Sequence, residues 1–223
     1  MSRGPVGRLG WFRRLGWFMG LTATLAVLGL VMALAGCGRT PEPSGPLGPC
    51  GEDAKSVGGY PEMEAVVPRL LDGKAPDTVN SGRSCSPTAL GSLTTHGIHE
   101  LRFAGATWSH GGADATVIAV LATPTEQPLP QEAWIQEFYT AGAVAGKHTE
   151  NTTTTRPVME GAGQVFRLDT LNDLSLQSVV IWGDAGLIHV VIVATTVNPS
   201  ASRAVHEQRL IDAVKVAVVP PPA

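Results

Sequence analysis

The stretch between residues 177 and 195 constrains the fold of this chain more than any other, because its pattern is typical of a β-hairpin. Two apolar runs, Gln177 to Trp182 and Leu187 to Thr195, flank the four residues Gly183-Asp184-Ala185-Gly186. Gly and Asp between such runs favour a tight turn whose backbone twist suits antiparallel strands. The pattern therefore predicts two adjacent antiparallel strands in the C-terminal part of the chain.

Further strands and helices are predicted around this hairpin. A second hairpin joins His99 to Trp108 with the apolar run Thr116 to Ala122 across a Gly-rich turn. Shorter strands are expected at 75–80, 148–156 and 164–169. Helices are expected at 62–71 with an interruption at Pro68, at 88–95 with Ser86 as N-cap, at 130–146, and from Asn198-Pro199 to about Val216. Hairpins alternating with single helices predict an α+β fold: an antiparallel sheet with helices packed mainly on one face.

Two of the expected helices carry an apolar stripe that should face the sheet. In the helix at 130–146 the stripe consists of Trp134, Phe138, Ala141 and Ala145. In the last helix the inward residues are expected to be Val205, Leu210, Ile211 and Val214.

The beginning of the chain has the order of a secretory signal. Four arginines and no acidic residue precede Cys37, and Leu15 to Ala35 is almost wholly apolar. That run is also long enough to cross a bilayer, so an uncleaved anchor is the alternative. The small residues directly before Cys37 favour cleavage.

Leu34-Ala35-Gly36-Cys37 resembles a bacterial lipobox. This resemblance implies a lipoprotein signal peptide at 1–36 and acyl chains (palmitate or similar) on Cys37 that hold the protein on the extracytoplasmic face of the cell membrane. Residues 37–59, rich in Pro and Gly, would then form a tether, and 60–219 a single domain. Inner and outer membrane are both open as destinations.

Charge restricts the partners of such a domain. The whole chain has a formal charge of −3, and loss of the four arginines before Cys37 would leave 12 basic and 19 acidic side chains, a charge of −7. An acidic domain is an improbable nucleic-acid binder. We expect the membrane, through the lipid, and an unidentified protein or small ligand as partners.

With Cys37 taken by lipid, Cys50 and Cys85 remain as an even pair, and an exported protein favours a disulfide between them. A metal pair or a redox dithiol is the competing interpretation, but the chain has neither a CxxC motif nor a histidine next to these cysteines.

No catalytic signature is present: GxSxG, HExxH, P-loop and SxxK motifs are all missing from the sequence. The alternative to a non-enzymatic module is an envelope hydrolase that uses the region from His96 to His110, with Ser84 or Ser86 nearby. Zinc or copper binding by those histidines is less expected than ordinary polar roles. We expect no cofactor, metal site or catalytic residue.

Trp108 and Trp182 both lie next to predicted turns. Aromatic residues this scarce are expected to fill a core, and the alternative is that Trp108 or Trp182 is exposed and lines a ligand groove. The other aromatic residues of the domain are expected to fill its core.

The order of elements over residues 98–216 resembles the Mog1/PsbP-like architecture, and the stretch from Met63 to Trp108 resembles uncharacterised exported bacterial lipoproteins. Neither resemblance implies an active site. The function expected from the sequence is that of a membrane-anchored extracytoplasmic lipoprotein, a non-enzymatic binding or assembly module.

Overall fold

A computed structural model describes residues 50–146, 149–172, 175–196 and 202–218. The expected signal segment, Cys37, the tether up to residue 49 and the Asn198-Pro199 cap of the last helix lie outside these residues. Among the described helices, none is long and apolar enough to cross a membrane.

The described strands and helices follow one another along the chain in the predicted alternation. The strands are β1 (Ala54–Ser56), β2 (Thr78–Ser84), β3 (Leu101–Gly111), β4 (Asp114–Ala122), β5 (Thr149–Thr155), β6 (Val158–Met159), β7 (Gly163–Gln164), β8 (Phe166–Asn172), β9 (Ser175–Asp184) and β10 (Leu187–Thr196). The helices are α1 (Pro61–Glu64), α2 (Pro87–Leu90), a 3₁₀ helix (Gly91–His96), α3 (Glu132–Ala145) and α4 (Ser202–Ala217).

Eight of the strands form one antiparallel sheet in the spatial order β1-β2-β3-β4-β10-β9-β8-β5, and β6 pairs with β7 separately. The predicted antiparallel α+β class is confirmed. Both predicted hairpins are present, and they meet at the centre of the sheet where β4 pairs with β10.

The turn of the C-terminal hairpin contains two residues, fewer than the four of the predicted turn Gly183-Asp184-Ala185-Gly186. Asp184 pairs with Leu187, so only Ala185 and Gly186 lie outside the strands. Both have positive φ, 47° and 83°, which is the pattern of a type I′ turn. Glycine adopts this conformation without cost, whereas Ala185 is a non-glycine residue held there by the ten-residue strands on either side.

The helices are divided between the two faces of the sheet, whereas the sequence placed them mainly on one. Alternate strand residues such as Val180 and Val191 share a core cluster with Leu210 of α4 and Met63 of α1. The intervening residues are also buried, among them Val179, Ile181, Val190 and Ile192. Successive side chains of a strand point to opposite faces, so this second set lies on the opposite face of the sheet. That face is covered by α3, which contacts β9, β8 and β5. Central strands that are apolar at consecutive positions require cover on both sides.

The stripe predicted for α3 is wrong by about one position. The buried residues are Ile135, Gln136, Tyr139 and Ala143. Trp134 and Phe138 are half-buried, and Ala141 and Ala145 are exposed. The large aromatic rings therefore lie at the side of the helix, where they contact the 3₁₀ helix instead of the sheet: Trp134 stacks on His96 and Phe138 lies against Gly91.

The inward face of α4 also differs from the expected one. Leu210 and Val214 are buried as predicted, but Val205 and Ile211 remain 44% and 43% exposed. The buried face runs instead through His206, Leu210, Ala213, Val214 and Ala217. A histidine therefore occupies an inward position in the first half of the helix.

The N-terminal third shows three local differences from the prediction. The helix expected at 62–71 ends at Glu64, because Pro68 has no N–H to donate to the carbonyl of Glu64 and its ring would clash there. The strand expected at 75–80 is shifted to 78–84. Because β1 belongs to the sheet, folded structure already includes residues 54–56, which the sequence assigned to the tether. The cap at Ser86 is confirmed, since its hydroxyl accepts from the N–H of Ala89 at 3.2 Å.

Candidate functional site

A disulfide fastens the beginning of the domain to the end of β2. Cys50 and Cys85 are bonded, with their Cα atoms 5.5 Å apart and a sequence separation of 35. The predicted pair is confirmed. Bonded cysteines have no thiolate left to bind a metal, so the metal interpretation of these two cysteines does not apply.

Asp53 reinforces this junction. Its carboxylate accepts from the N–H of Cys85 at 2.6 Å and from the N–H and hydroxyl of Ser86 at 2.9 and 2.6 Å. Burial alone would raise the pKa of Asp53, but these hydrogen bonds from Ser86 and Cys85 outweigh it and lower the pKa. Ser86, one of the serines considered for the hydrolase alternative, is therefore committed to Asp53 and to the helix cap. Ser84, the other, is buried in β2.

The histidines of the region 96–110 do not come together. His96 ends the 3₁₀ helix just before β3, and His110 lies near the opposite end of that strand. His110 lies nine positions after Leu101 along the extended strand, a distance of about 30 Å. His99 is exposed, and its backbone N–H donates to the side-chain oxygen of Gln127 at 2.7 Å. No group of three or more metal-ligating side chains is found among the described residues.

His96 and His110 each have an ordinary polar partner. The Nε2 atom of His96 lies 2.9 Å from Oε2 of Glu137, and its ring stacks on Trp134 with centroids 4.7 Å apart. The Nε2 atom of His110 lies 2.9 Å from the hydroxyl of Thr116. The alternative of a hydrolase in this region therefore has no geometric basis among the described residues, since His96 and His110 lie far apart and neither has a serine as its hydrogen-bond partner.

The structure contradicts the alternative of an exposed tryptophan that lines a ligand groove. Trp108 is fully buried and Trp182 is 4% exposed. The indole N–H of Trp108 donates to the carbonyl of Lys74 at 2.9 Å, and Trp182 stacks on His189 with centroids 5.0 Å apart. Both rings therefore belong to the core and neither lines an open groove.

The main polar cluster of the interior lies beneath α4, where the sequence indicated none. Nε2 of His206 is 2.8 Å from the hydroxyl of Ser178, and its Nδ1 is 2.9 Å from the hydroxyl of Thr195. The Ser178 hydroxyl also donates to the carboxylate of Asp169. His206 and Ser178 are fully buried and Thr195 is nearly so. We call these four residues the His206 cluster.

An ion pair closes the His206 cluster toward solvent. The Arg167 guanidinium donates to both oxygens of Glu207 at 2.7 Å, and its Nε donates to Asp169 at 2.9 Å. The hydrogen bonds from Arg167 lower the pKa of Glu207. Arg167 therefore joins β8 to α4 and holds the carboxylate of Asp169 in place for Ser178.

The direction of the hydrogen bonds determines what the His206 cluster can do. Ser178 has one hydroxyl proton, which it donates in the hydrogen bond to the Asp169 carboxylate. Nε2–H of His206 must therefore donate to Ser178, which leaves Nδ1 as an acceptor for the hydroxyl of Thr195. A hydrolase needs the opposite arrangement, with an unprotonated nitrogen accepting from an exposed serine and a carboxylate on the other nitrogen.

The His206 cluster therefore contains a serine, a histidine and an aspartate, but in the wrong order and out of reach of a substrate. Its geometry suits fixing a neutral imidazole between α4 and the sheet. Burial lowers the pKa of His206, which keeps the ring neutral.

One sequence signal could have located the His206 cluster. His206 precedes the inward residues Leu210 and Val214 by four and eight positions, so it continues their helical stripe. Reading the stripe by apolarity alone selected Val205 instead.

Comparison with known proteins identifies no relative: no family model, no curated protein and no solved structure matches the chain.

Proposed function

We propose that this protein is a lipid-anchored, extracytoplasmic binding or assembly module without enzymatic activity. The Cys50–Cys85 disulfide is the observation that carries the proposal. Disulfides form and persist in oxidising compartments outside the cytosol, so this bond favours an exported domain. It agrees with the signal-like segment and lipobox pattern that precede it.

The short segment between Cys37 and Cys50 also supports a lipid anchor. Cys50, where the fold is fastened, follows Cys37 after a short stretch rich in Pro, Gly and Ser. Such a stretch buries little apolar surface and suits a spacer between a lipid and a domain. Acyl chains on Cys37 would contribute about 0.8 kcal/mol per buried CH₂, so two or three chains would hold the domain on the membrane.

The polar groups of the domain support a non-enzymatic role. The Ser178 hydroxyl is buried and donates to Asp169, Ser86 is bound to Asp53, and the histidines of 96–110 lie apart. A nucleophile would need a neighbouring base and access to substrate.

Lipid labelling tests the anchor. Cells that express the chain are grown with a radioactive or clickable fatty acid, and the purified protein is assayed for label and for processing at Cys37. We expect a labelled, processed wild-type chain and an unlabelled, unprocessed Cys37→Ala chain. Cys50→Ser and Cys85→Ser are the matched controls and should keep the label. Label that survives Cys37→Ala, or none on the wild type, would contradict the proposal.

A further inference from the structure

The two edges of the eight-stranded sheet are protected unequally. At one edge, β1 is only three residues long and is flanked by the disulfide and by Asp53. At the other, β5 spans seven residues and pairs with β8 alone among the described strands. An edge strand presents unpaired backbone N–H and C=O groups, which proteins usually shield by short length, charge, proline or a bulge.

The shielding of β5 is confined to its two ends. The register with β8 shifts between Thr149 and Asn151, which places a bulge at Glu150, and Pro157 follows the strand. Between them, Asn151–Thr155 pairs with β8 in unbroken register, and none of its five side chains is charged. This segment is largely exposed. It is therefore a regular and neutral strand edge.

We propose that two copies of this chain associate by pairing their β5 strands antiparallel about Thr153, which joins the two sheets into one. This inference rests on the proposed function as an assembly module and identifies the partner as a second copy of the same chain. A symmetric pair of this kind is isologous, with the same surface used on both copies.

Charge complementarity selects this register. With Thr153 opposite its counterpart, Thr152 faces Thr154, Asn151 faces Thr155, and Glu150 of each copy faces Arg156 of the other. Two opposite-charge pairs thus flank a row of threonines and asparagines, and cross-strand pairs of both kinds favour association. The Arg156 guanidinium donates to Gln136 at 2.8 Å and lies 3.7 Å from Glu132, but the side chain is 55% exposed and has five N–H groups, so it can also donate to a second carboxylate.

Cysteine cross-linking of the full-length chain in membranes tests the register. In Thr153→Cys the two new thiols would face each other at a distance that a disulfide can span. In the matched control Thr155→Cys they would be offset by four residues, about 13 Å along the strands, which a disulfide cannot span. Both positions are exposed on the same strand. After mild oxidation, a non-reducing gel should show several-fold more dimer for Thr153→Cys.

Two further samples complete the test. Differently tagged Asn151→Cys and Thr155→Cys chains, expressed together, should form a mixed dimer, because these positions face each other in the proposed register. The parent chain, without an added cysteine, shows whether Cys37 is a free thiol. A dimer of the parent that disappears in Cys37→Ala would contradict lipidation of Cys37. The comparison of positions 153 and 155 is then repeated in the Cys37→Ala background. Equal cross-linking at 153 and 155, or none at either, would overturn the β5 pairing whatever the state of Cys37.

Discussion

Replacing His206 by phenylalanine should destabilise the domain through the hydrogen bonds it removes. The phenyl ring has a similar shape but no nitrogen, so the buried hydroxyl of Thr195 loses its partner, while Ser178 keeps Asp169. An orphaned buried hydroxyl costs about 1–3 kcal/mol. We therefore expect His206→Phe to lower the free energy of unfolding by about 1–3 kcal/mol at neutral pH.

The same substitution should flatten the dependence of stability on pH. Burial lowers the pKa of His206 from its ordinary value of 6.5. As pH falls through that value, the unfolded chain takes up a proton that the folded protein refuses, so the free energy of unfolding falls. The slope approaches about 1.4 kcal/mol per pH unit for each such proton. His206→Phe removes this contribution, whereas His110 and His189, whose pKa values burial also lowers, keep theirs.

Urea unfolding at a series of pH values, followed by fluorescence of the buried tryptophans, measures both effects. Thr195→Val is the matched variant, since it removes the hydroxyl and leaves Nδ1 of His206 without a donor. The double variant leaves neither group orphaned, so its cost should be smaller than the sum of the single costs. Additive costs, or an unchanged pH slope in His206→Phe, would refute the described role of the His206 cluster. His99→Gln, at an exposed position, controls for the removal of a histidine side chain and should keep the wild-type free energy of unfolding at neutral pH.

Three further predictions concern the junction at the start of the domain. Reduction of the disulfide, or Cys50→Ser with Cys85→Ser, should lower the free energy of unfolding by about 3–4 kcal/mol, measured by thermal denaturation with and without reductant. Gly82→Ala should cost about 1–3 kcal/mol, because an added Cβ would lie 2.1 Å from a β1 carbonyl oxygen, whereas Gly183→Ala, with its nearest atom at 3.6 Å, should be tolerated in the same assay. Ser86→Ala should cost at least about 1 kcal/mol, because it removes both the helix cap and the hydrogen bond from the Ser86 hydroxyl to Asp53, and a cost indistinguishable from zero in urea unfolding would contradict both contacts.

The sequence was most informative where local chemistry decides the structure. The turn residues between β9 and β10 located that hairpin, and Ser86 located a helix start, because each acts on its immediate neighbours. The position of β2 along the chain and the division of the helices over two faces depend on contacts between distant segments. A pattern read along one segment does not contain them.

The His206 cluster shows why helix faces were misread. Residue 206 is buried because Ser178 and Thr195 present hydroxyls to it from strands 28 and 11 residues away. A polar residue is acceptable inside when such partners exist, but the partners become visible only once the strands are paired. The same limitation applied to Trp108, whose indole N–H finds its acceptor at Lys74, 34 residues earlier.

Under the proposed anchoring at Cys37, the Cys50–Cys85 bond would also determine how the domain responds to a pulling force. Tension that arrives at Cys50 crosses directly to Cys85 and bypasses the segment between them, including β1, α1 and β2. These elements cannot be peeled from the sheet one residue pair at a time while the bond is intact. Reduction would place β1 in the path of the force and release up to about 120 Å of hidden chain length, at about 3.4 Å per residue.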